Sequence, residues 1–156
     1  MKITVIAVGK LKEKFWLAAC EEYLKRLQAY AKLNIRELTD RDPAKYGGEH
    51  AARIQEGKDI LKALPDHAQV ILLDREGREL SSEAFSAHMD TLALNGMSEI
   101  AFIIGGSCGV SQDVYAAADE TLSFGKITLP HNLARVVLFE QIYRAFKISR
   151  GEPYHK

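Results

Sequence analysis

The stretch IAFIIGGSCG, residues 100–109, joins an apolar run to a loop rich in glycine. A continuous apolar run such as Ile100–Ile104 is typical of a strand covered on both faces, as in a parallel sheet. Gln69–Leu73 has the same character, and the polar residues 74–77 that follow it predict a turn. Two such strands separated by a helical pattern indicate an α/β fold with a mainly parallel sheet flanked by helices.

Outward from these two strands, apolar periodicity predicts the remaining elements. Strands are predicted at 2–8 and 33–38, with an extended segment at 122–129 that Gly125 interrupts. Residues 40–48 are polar and contain proline and glycine, so we predict a mobile loop there. Helices are predicted at about 13–31, at 49–64, from Ser81 or Ser82 to Asn95-Gly96, at 111–118, and from Pro130 to about Ser149.

Length and composition predict one ordinary globular domain spanning residues 1–156. The two cysteines, Cys20 and Cys108, are too few for a disulfide scaffold, which favours a reducing compartment. The first apolar stretch is too short for a signal peptide, and nothing approaches the length of a membrane span. We therefore expect a cytoplasmic protein without a membrane partner.

Charge is balanced over the chain but not along it. The 21 basic and 21 acidic residues cancel, which argues against a protein that coats nucleic acid without specificity. Residues 126–156, however, contain six basic and two acidic residues, a net charge of +4. This segment is the part best suited to meet a polyanion, although surface charge also varies by a few units by chance.

The predicted last helix is apolar around most of its circumference, so more than one face must be buried. In a small domain the sheet covers one face, and we expect a second copy to cover another in a two-fold homodimer. The alternative is a central helix wrapped by its own chain. The apolar positions are Leu133, Val136, Val137, Leu138, Phe139, Ile142, Tyr143, Ala145, Phe146 and Ile148.

Ligands of open parallel sheets bind beyond the carboxyl ends of the strands. Three such ends lead into predicted loops, at Leu73-Asp74, at Gly105–Gly109 and at Phe124–Leu129. The glycine loop alone is a weak signal, because it lacks the Lys-Ser/Thr of a phosphate-binding loop and a tight turn explains it equally well. Cys108 could be a nucleophile there, but most lone cysteines are structural. The five scattered histidines have no metal-ligand spacing, so no metal is expected.

The final residues, Arg150–Lys156, place an aromatic ring, an imidazole and a cation directly after glycine and proline. Tyr154 and His155 are of the types that stack on bases or move protons. A frayed terminus is the alternative, but such tails are more often plain polar.

Three stretches together resemble the ribosomal RNA large subunit methyltransferase H family of the SPOUT superfamily. They are ITVIAVGK (3–10), IIGGSCGVS (103–111) and LSFGKITLPHNLARVVLFEQIYRAFKISRGEPYHK (122–156). The resemblance covers the whole chain. It implies methyl transfer from S-adenosylmethionine to N3 of a pseudouridine in 23S ribosomal RNA on the assembled ribosome. It also implies a homodimer and a C-terminal trefoil knot that cradles the cofactor.

The resemblance assigns roles to individual positions. Arg144, Tyr154, His155 and Lys156 match the family's conserved basic and tail positions, so we expect them at the RNA and the reacting base. The chemistry of the reaction then suggests His155 as the base, Arg144 as a stabiliser of negative charge and Tyr154 as a partner of the target base. Lys147, Arg150 and Lys156 are expected to hold RNA phosphates. Contacts to the cofactor are implied for Leu73, Gly105, Phe124, Gly125, Lys126, Ile127, Thr128 and Leu129.

Two readings from other classes remain open at this point. A non-enzymatic ribosome-binding factor would use the same basic C-terminal segment. An α/β hydrolase or a nucleotide-binding enzyme would use the glycine loop.

Overall fold

The computed structural model describes all residues, 1–156. Its elements alternate between strands and helices for most of the chain. In chain order they are β1 (Lys2–Val8), α1 (Lys14–Leu27), β2 (Lys32–Leu38), α2 (Pro43–Tyr46), α3 (Glu49–Ala63), β3 (Gln69–Glu79), α4 (Ser82–Leu94), β4 (Glu99–Ile104), α5 (Gln112–Ala117), β5 (Glu120–Ser123) and α6 (His131–Ser149).

The five strands form one parallel sheet in the order β2-β1-β4-β3-β5. Helices cover both faces, because alternate side chains of each strand point to opposite sides. Ile100 and Phe102 pack with residues of α1, α4 and α6, whereas Ala101 and Ile103 pack with residues of α3 and α5. The predicted α/β class with a parallel sheet between helices is confirmed. No helix combines the length and the apolar character that crossing a membrane requires.

The prediction of a loop without helix at 40–48 is wrong, because this segment contains the one-turn helix α2. The side chain of Asp42 accepts a hydrogen bond from the Ala44 N–H at 3.0 Å, and Pro43 occupies the first helical position. Gly47 ends the helix in the left-handed conformation, with φ of 82°. Both are ordinary capping features of short helices.

The predicted turn at 74–77 is also wrong, because β3 continues to Glu79. The strand shifts register against β5, so that both Leu73 and Arg78 pair with Leu122. The two strands approach each other closely here, since a Cβ on Gly77 would lie 2.9 Å from the Leu122 nitrogen. The Ser123 hydroxyl donates to the Arg75 carbonyl at 2.8 Å, so side-chain bonding supports the irregular pairing.

Helix α1 is shorter than the predicted 13–31, because the chain turns directly after Leu27. The N–H groups of Tyr30 and Ala31 both donate to the Leu27 carbonyl, at 2.9 and 3.0 Å, and so close the helix end. Tyr30 continues the apolar spacing of the helix, but as part of this turn.

Helix α6 lies beside α1 on one flank and α4 on the other. The Ser86 hydroxyl of α4 donates to the Ala145 carbonyl at 2.6 Å, and Tyr23 of α1 lies 6.3 Å from Tyr143 between ring centroids. Six residues of α6 are buried within the single chain: Arg135, Leu138, Phe139, Ile142, Tyr143 and Ala145. The chain itself therefore covers more of this helix than the sheet alone would, and the homodimer stays a prediction.

Candidate functional site

A cavity of about 740 Å³ lies at the carboxyl edge of the sheet. It opens where β4 and β5 pass into loops and where β3 shifts register after Leu73, and the first turn of α6 closes one side. Its lining residues are Leu73, Asp74, Arg75, Ile104, Gly105, Gly106, Ser107, Gly109, Val110, Tyr115, Leu122, Phe124, Gly125, Ile127, Thr128, Leu129, Pro130, His131 and Ala134.

The three strand ends singled out in the sequence meet around this one cavity. Of the eight residues assigned to the cofactor, Lys126 alone does not line it, and its side chain is exposed. Ile127 lies at the rim with 79% of its surface exposed, which is unusual for an isoleucine. An exposed apolar side chain beside a cavity is suited to meet a ligand or another chain.

Glycine is required in the loop after β4 because neighbouring atoms approach the backbone closely. A Cβ on Gly105 would lie 2.6 Å from Cγ1 of Val110. A Cβ on Gly106 would lie 3.0 Å from Oε1 of Glu56, on α3. Because these positions carry no side chain, one face of the loop packs on α3 while the other leaves the cavity open.

Sequence reasoning placed Asp74 at this edge of the sheet but missed its polar neighbours Arg75 and Tyr115. Arg75 donates from Nη1 to the Thr128 hydroxyl at 3.1 Å, which ties the β3 extension to the loop after β5. The Tyr115 hydroxyl donates to Oδ2 of Asp74 at 2.9 Å. Both Asp74 and Arg75 directly follow Leu73, so their position at a strand end was the available signal.

The three expected catalytic side chains lie together in a second place, which we call the tail cluster: Glu83, Glu140, Arg144, Tyr154 and His155. Arg144 lies over the Tyr154 ring, with 4.7 Å from its guanidinium carbon to the ring centroid. Its Nη1 lies 3.1 Å from Nδ1 of His155. The other imidazole nitrogen, Nε2, lies 2.7 Å from Oε1 of Glu83.

These contacts define the protonation of the tail cluster. Arginine only donates, so Nδ1 of His155 accepts and Nε2 carries the proton toward Glu83. The pKa of Arg144 is raised by its hydrogen bonds to Glu140, so the guanidinium stays ionised. Burial, with help from Tyr23 and Glu140, raises the pKa of Tyr154 to about 12, so this phenol keeps its proton and donates to Glu140 at 3.2 Å.

The basic residues of the C-terminal segment differ in their availability. The Lys147 ammonium is paired with Glu152 at 2.6 Å, and Arg135 is buried against Glu37 and the Gly9 carbonyl. Arg150 is exposed and lies over the Tyr30 ring, at 4.5 Å from the centroid. Lys156 is exposed at the chain end. Glu152 is already counted in the net charge of +4, so only the pairing of Arg135 with Glu37, which lies outside the segment, offsets one of these charges.

The cavity and the tail cluster occupy opposite parts of α6. His131 and Ala134 of the first turn line the cavity, whereas Glu140 and Arg144 belong to the tail cluster. At 1.5 Å per residue, the thirteen positions from His131 to Arg144 span about 20 Å. Within one chain the structure does not bring the two groups of predicted residues together.

Cys108 lies in the glycine loop with intermediate exposure, and its sulfur is 4.0 Å from the Ser107 hydroxyl. No base contacts it, so its surroundings offer no activation of a nucleophile. No group of three or more His, Cys, Asp or Glu side chains could hold a metal ion.

Glu56 is a buried carboxylate behind the glycine loop. Its Oε2 accepts from the Arg41 N–H at 2.9 Å, whereas Oε1 has no hydrogen-bond partner. Burial, followed by the neighbouring carboxyl of Asp40, raises the pKa of Glu56 above its usual 4.5. The folded protein therefore binds the Glu56 proton more tightly than the unfolded chain does.

This shift predicts a pH dependence of stability. A carboxyl with a raised pKa in the folded state contributes stability at low pH, and that contribution is lost as pH rises from about 4.5 through the folded pKa. We therefore expect Glu56→Gln to gain stability relative to the wild type as pH rises from 4 to 7 in urea unfolding series. Glu49→Gln, at an exposed position of the same helix, should show no such trend. If the difference in the free energy of unfolding between Glu56→Gln and the wild type stays constant from pH 4 to 7, the raised pKa of Glu56 is contradicted.

The chain is similar over its whole length to known proteins. A family model described as "Predicted SPOUT methyltransferase" matches residues 1–155. A protein of Clostridium acetobutylicum is 52% identical, and proteins of Listeria welshimeri and Bacillus thuringiensis are each 50% identical. Each comparison spans 159 aligned positions and all of both chains, and each relative is named ribosomal RNA large subunit methyltransferase H.

Proposed function

The chain belongs to the SPOUT methyltransferase family, and we propose that it transfers a methyl group from S-adenosylmethionine to N3 of a pseudouridine in 23S ribosomal RNA of the assembled ribosome. The observation that carries the proposal is the cavity of about 740 Å³ formed by three strand ends. The names of the full-length relatives supply the substrate class, large-subunit ribosomal RNA. The family also implies the trefoil knot, and we propose that residues 1–156 form its single domain in the cytoplasm.

The cavity suits a nucleoside with an apolar ring and a polar side chain. Its volume lies within the range of about 300–1,000 Å³ that is usual for small-molecule sites. Leu73, Ile127 and Leu129 offer apolar surface for the adenine, and the backbone of the Gly105 loop offers hydrogen-bonding groups at close approach. We assign cofactor contacts to the seven predicted residues that line the cavity and leave Lys126 out of them.

The reaction needs a proton acceptor, because the N3 imide of a pyrimidine is protonated at neutral pH. When bound, S-adenosylmethionine supplies an electrophilic methyl group on a positively charged sulfur. His155 serves as the base, since a neutral imidazole accepts protons near neutral pH. Its Nδ1 lone pair faces Arg144 in the free chain. If Arg144 turns to a carbonyl oxygen of the target ring, it stabilises the developing negative charge and frees this lone pair.

A homodimer brings the two halves of this site together. Because ten to thirteen residues of α6, about 15–20 Å of helix, separate the cavity-lining Ala134 and His131 from Arg144, we propose that each cavity meets the tail cluster of the partner chain. Two exposed apolar side chains support such a contact: Ile127 at the cavity rim and Phe15 on α1, beside α6, which exposes 64% of its surface. Arg150 and Lys156 remain available for RNA phosphates, and Lys147 becomes so if Glu152 releases it.

The first test separates the methyltransferase from a ribosome-binding factor and from a nucleotide-binding enzyme. Calorimetry should detect binding of S-adenosylmethionine and none of ATP. Mass mapping of 23S ribosomal RNA from a strain lacking the protein should then show one pseudouridine without its methyl group, restored by purified protein added to the ribosomes. Binding of ATP alone, or unchanged RNA in the deletion strain, would refute the proposal.

The role of His155 is tested by His155→Ala. Loss of a general base costs about a hundredfold or more in rate, so turnover at saturating S-adenosylmethionine should fall by about that factor while cofactor affinity stays within about twofold. His50→Ala, at an exposed position of α3, is the matched control. Unchanged turnover of the His155 variant would remove it as the base.

A further inference from the structure

Asp74 is the only carboxylate among the nineteen residues that line the cavity. It follows the buried part of β3, directly after Leu73, where the strand passes the loops that follow β4 and β5. The remaining walls are mostly apolar side chains and glycine backbone. Asp74 is partly buried there, so its charge is screened less than that of a fully exposed carboxylate and influences which ligands bind.

Two hydrogen bonds hold this carboxylate in place. The Tyr115 hydroxyl donates to Oδ2 at 2.9 Å, and the Glu76 N–H donates to Oδ1 at 3.2 Å. Burial and the bond to Asp74 raise the pKa of Tyr115, so the phenol keeps its proton and remains a donor. Tyr115 lies on α5 and Asp74 on β3, so the bond fixes the carboxylate across the cavity wall rather than leaving it free to turn away.

No cation of the chain neutralises Asp74. The ion pairs of the structure do not include it. The nearest arginine in sequence, Arg75, directs its guanidinium to Thr128 and Glu76 instead. A carboxylate that is oriented, faces a cavity and has no cationic partner is complementary to a positively charged ligand.

We propose that Asp74, oriented by Tyr115, recognises the positive charge of the methyl donor and thereby favours the donor over its demethylated product. This rests on the proposed function, in which the cavity holds S-adenosylmethionine. Loss of the methyl group converts the sulfonium to a neutral thioether, so a nearby negative charge attracts the donor more strongly than the product. Asp74 is then a specificity residue that promotes exchange of spent cofactor.

The test is a calorimetric comparison of three ligands: S-adenosylmethionine, S-adenosylhomocysteine and adenosine. Asp74→Asn keeps the shape of the side chain and removes its charge. We expect it to weaken S-adenosylmethionine binding about tenfold, a factor typical of one lost charge interaction, and the other two ligands by less than about threefold. Tyr115→Phe keeps the charge but frees the carboxylate, so it should reduce the same preference by a smaller factor. Glu79→Gln, at an exposed carboxylate further along β3 that forms no ion pair, should leave all three affinities unchanged.

The possible outcomes separate this inference from the proposed function. If Asp74→Asn weakens all three ligands equally, the carboxylate binds the ribose hydroxyls and charge recognition is refuted. If it changes none, Asp74 takes no part in binding. If the wild-type protein binds none of the three, the proposed function itself fails. Thermal unfolding of each variant without ligand shows whether a loss of affinity reflects a loss of folded protein.

Discussion

The rigidity of α6 is the constraint on which the functional arrangement depends. Its first turn closes the cavity and its later turns carry Arg144, so the helix holds two sets of functional groups about 20 Å apart. The helix is fixed between α1 and α4 by side-chain packing and by the bond from Ser86 to Ala145, so it cannot fold back to join them. We therefore propose that a complete site forms only when a second copy of the chain supplies the other set.

The sheet explains why the cofactor site could be predicted from sequence. All pairings are parallel, so the carboxyl ends of β4 and β5 lie at one edge with the register shift of β3 after Leu73, and segments far apart in the chain meet there. Reading Leu73, Gly105 and Phe124–Leu129 as strand ends was enough to bring them together. The role of each residue, by contrast, came from family resemblance, because backbone-lined pockets leave little chemical pattern in a sequence.

Features that depend on tertiary packing escaped prediction. The β3 extension rests on the close approach of Gly77 to Leu122, which no local propensity encodes. Arg135 counts as a surface charge in the sequence but is buried against Glu37. The apolar circumference of α6 correctly indicated burial on several faces. Helices α1 and α4 of the same chain, however, bury part of the surface that the sequence analysis assigned to a second copy of the chain. Glu56 gave no signal beyond being an acidic residue of a predicted helix, and Asp74 gave none beyond its place at a predicted strand end.

The central claim is that the cavity of one chain works with the tail cluster of another. It is tested most directly with a purified mixed dimer, in which one chain carries Gly105→Leu to fill the cavity and the other carries His155→Ala. Each variant alone should be inactive. Sites shared between chains leave one intact site per mixed dimer, so two-fold symmetry predicts about half the wild-type rate. A mixed dimer as inactive as its parents, with both chains folded, would contradict the account.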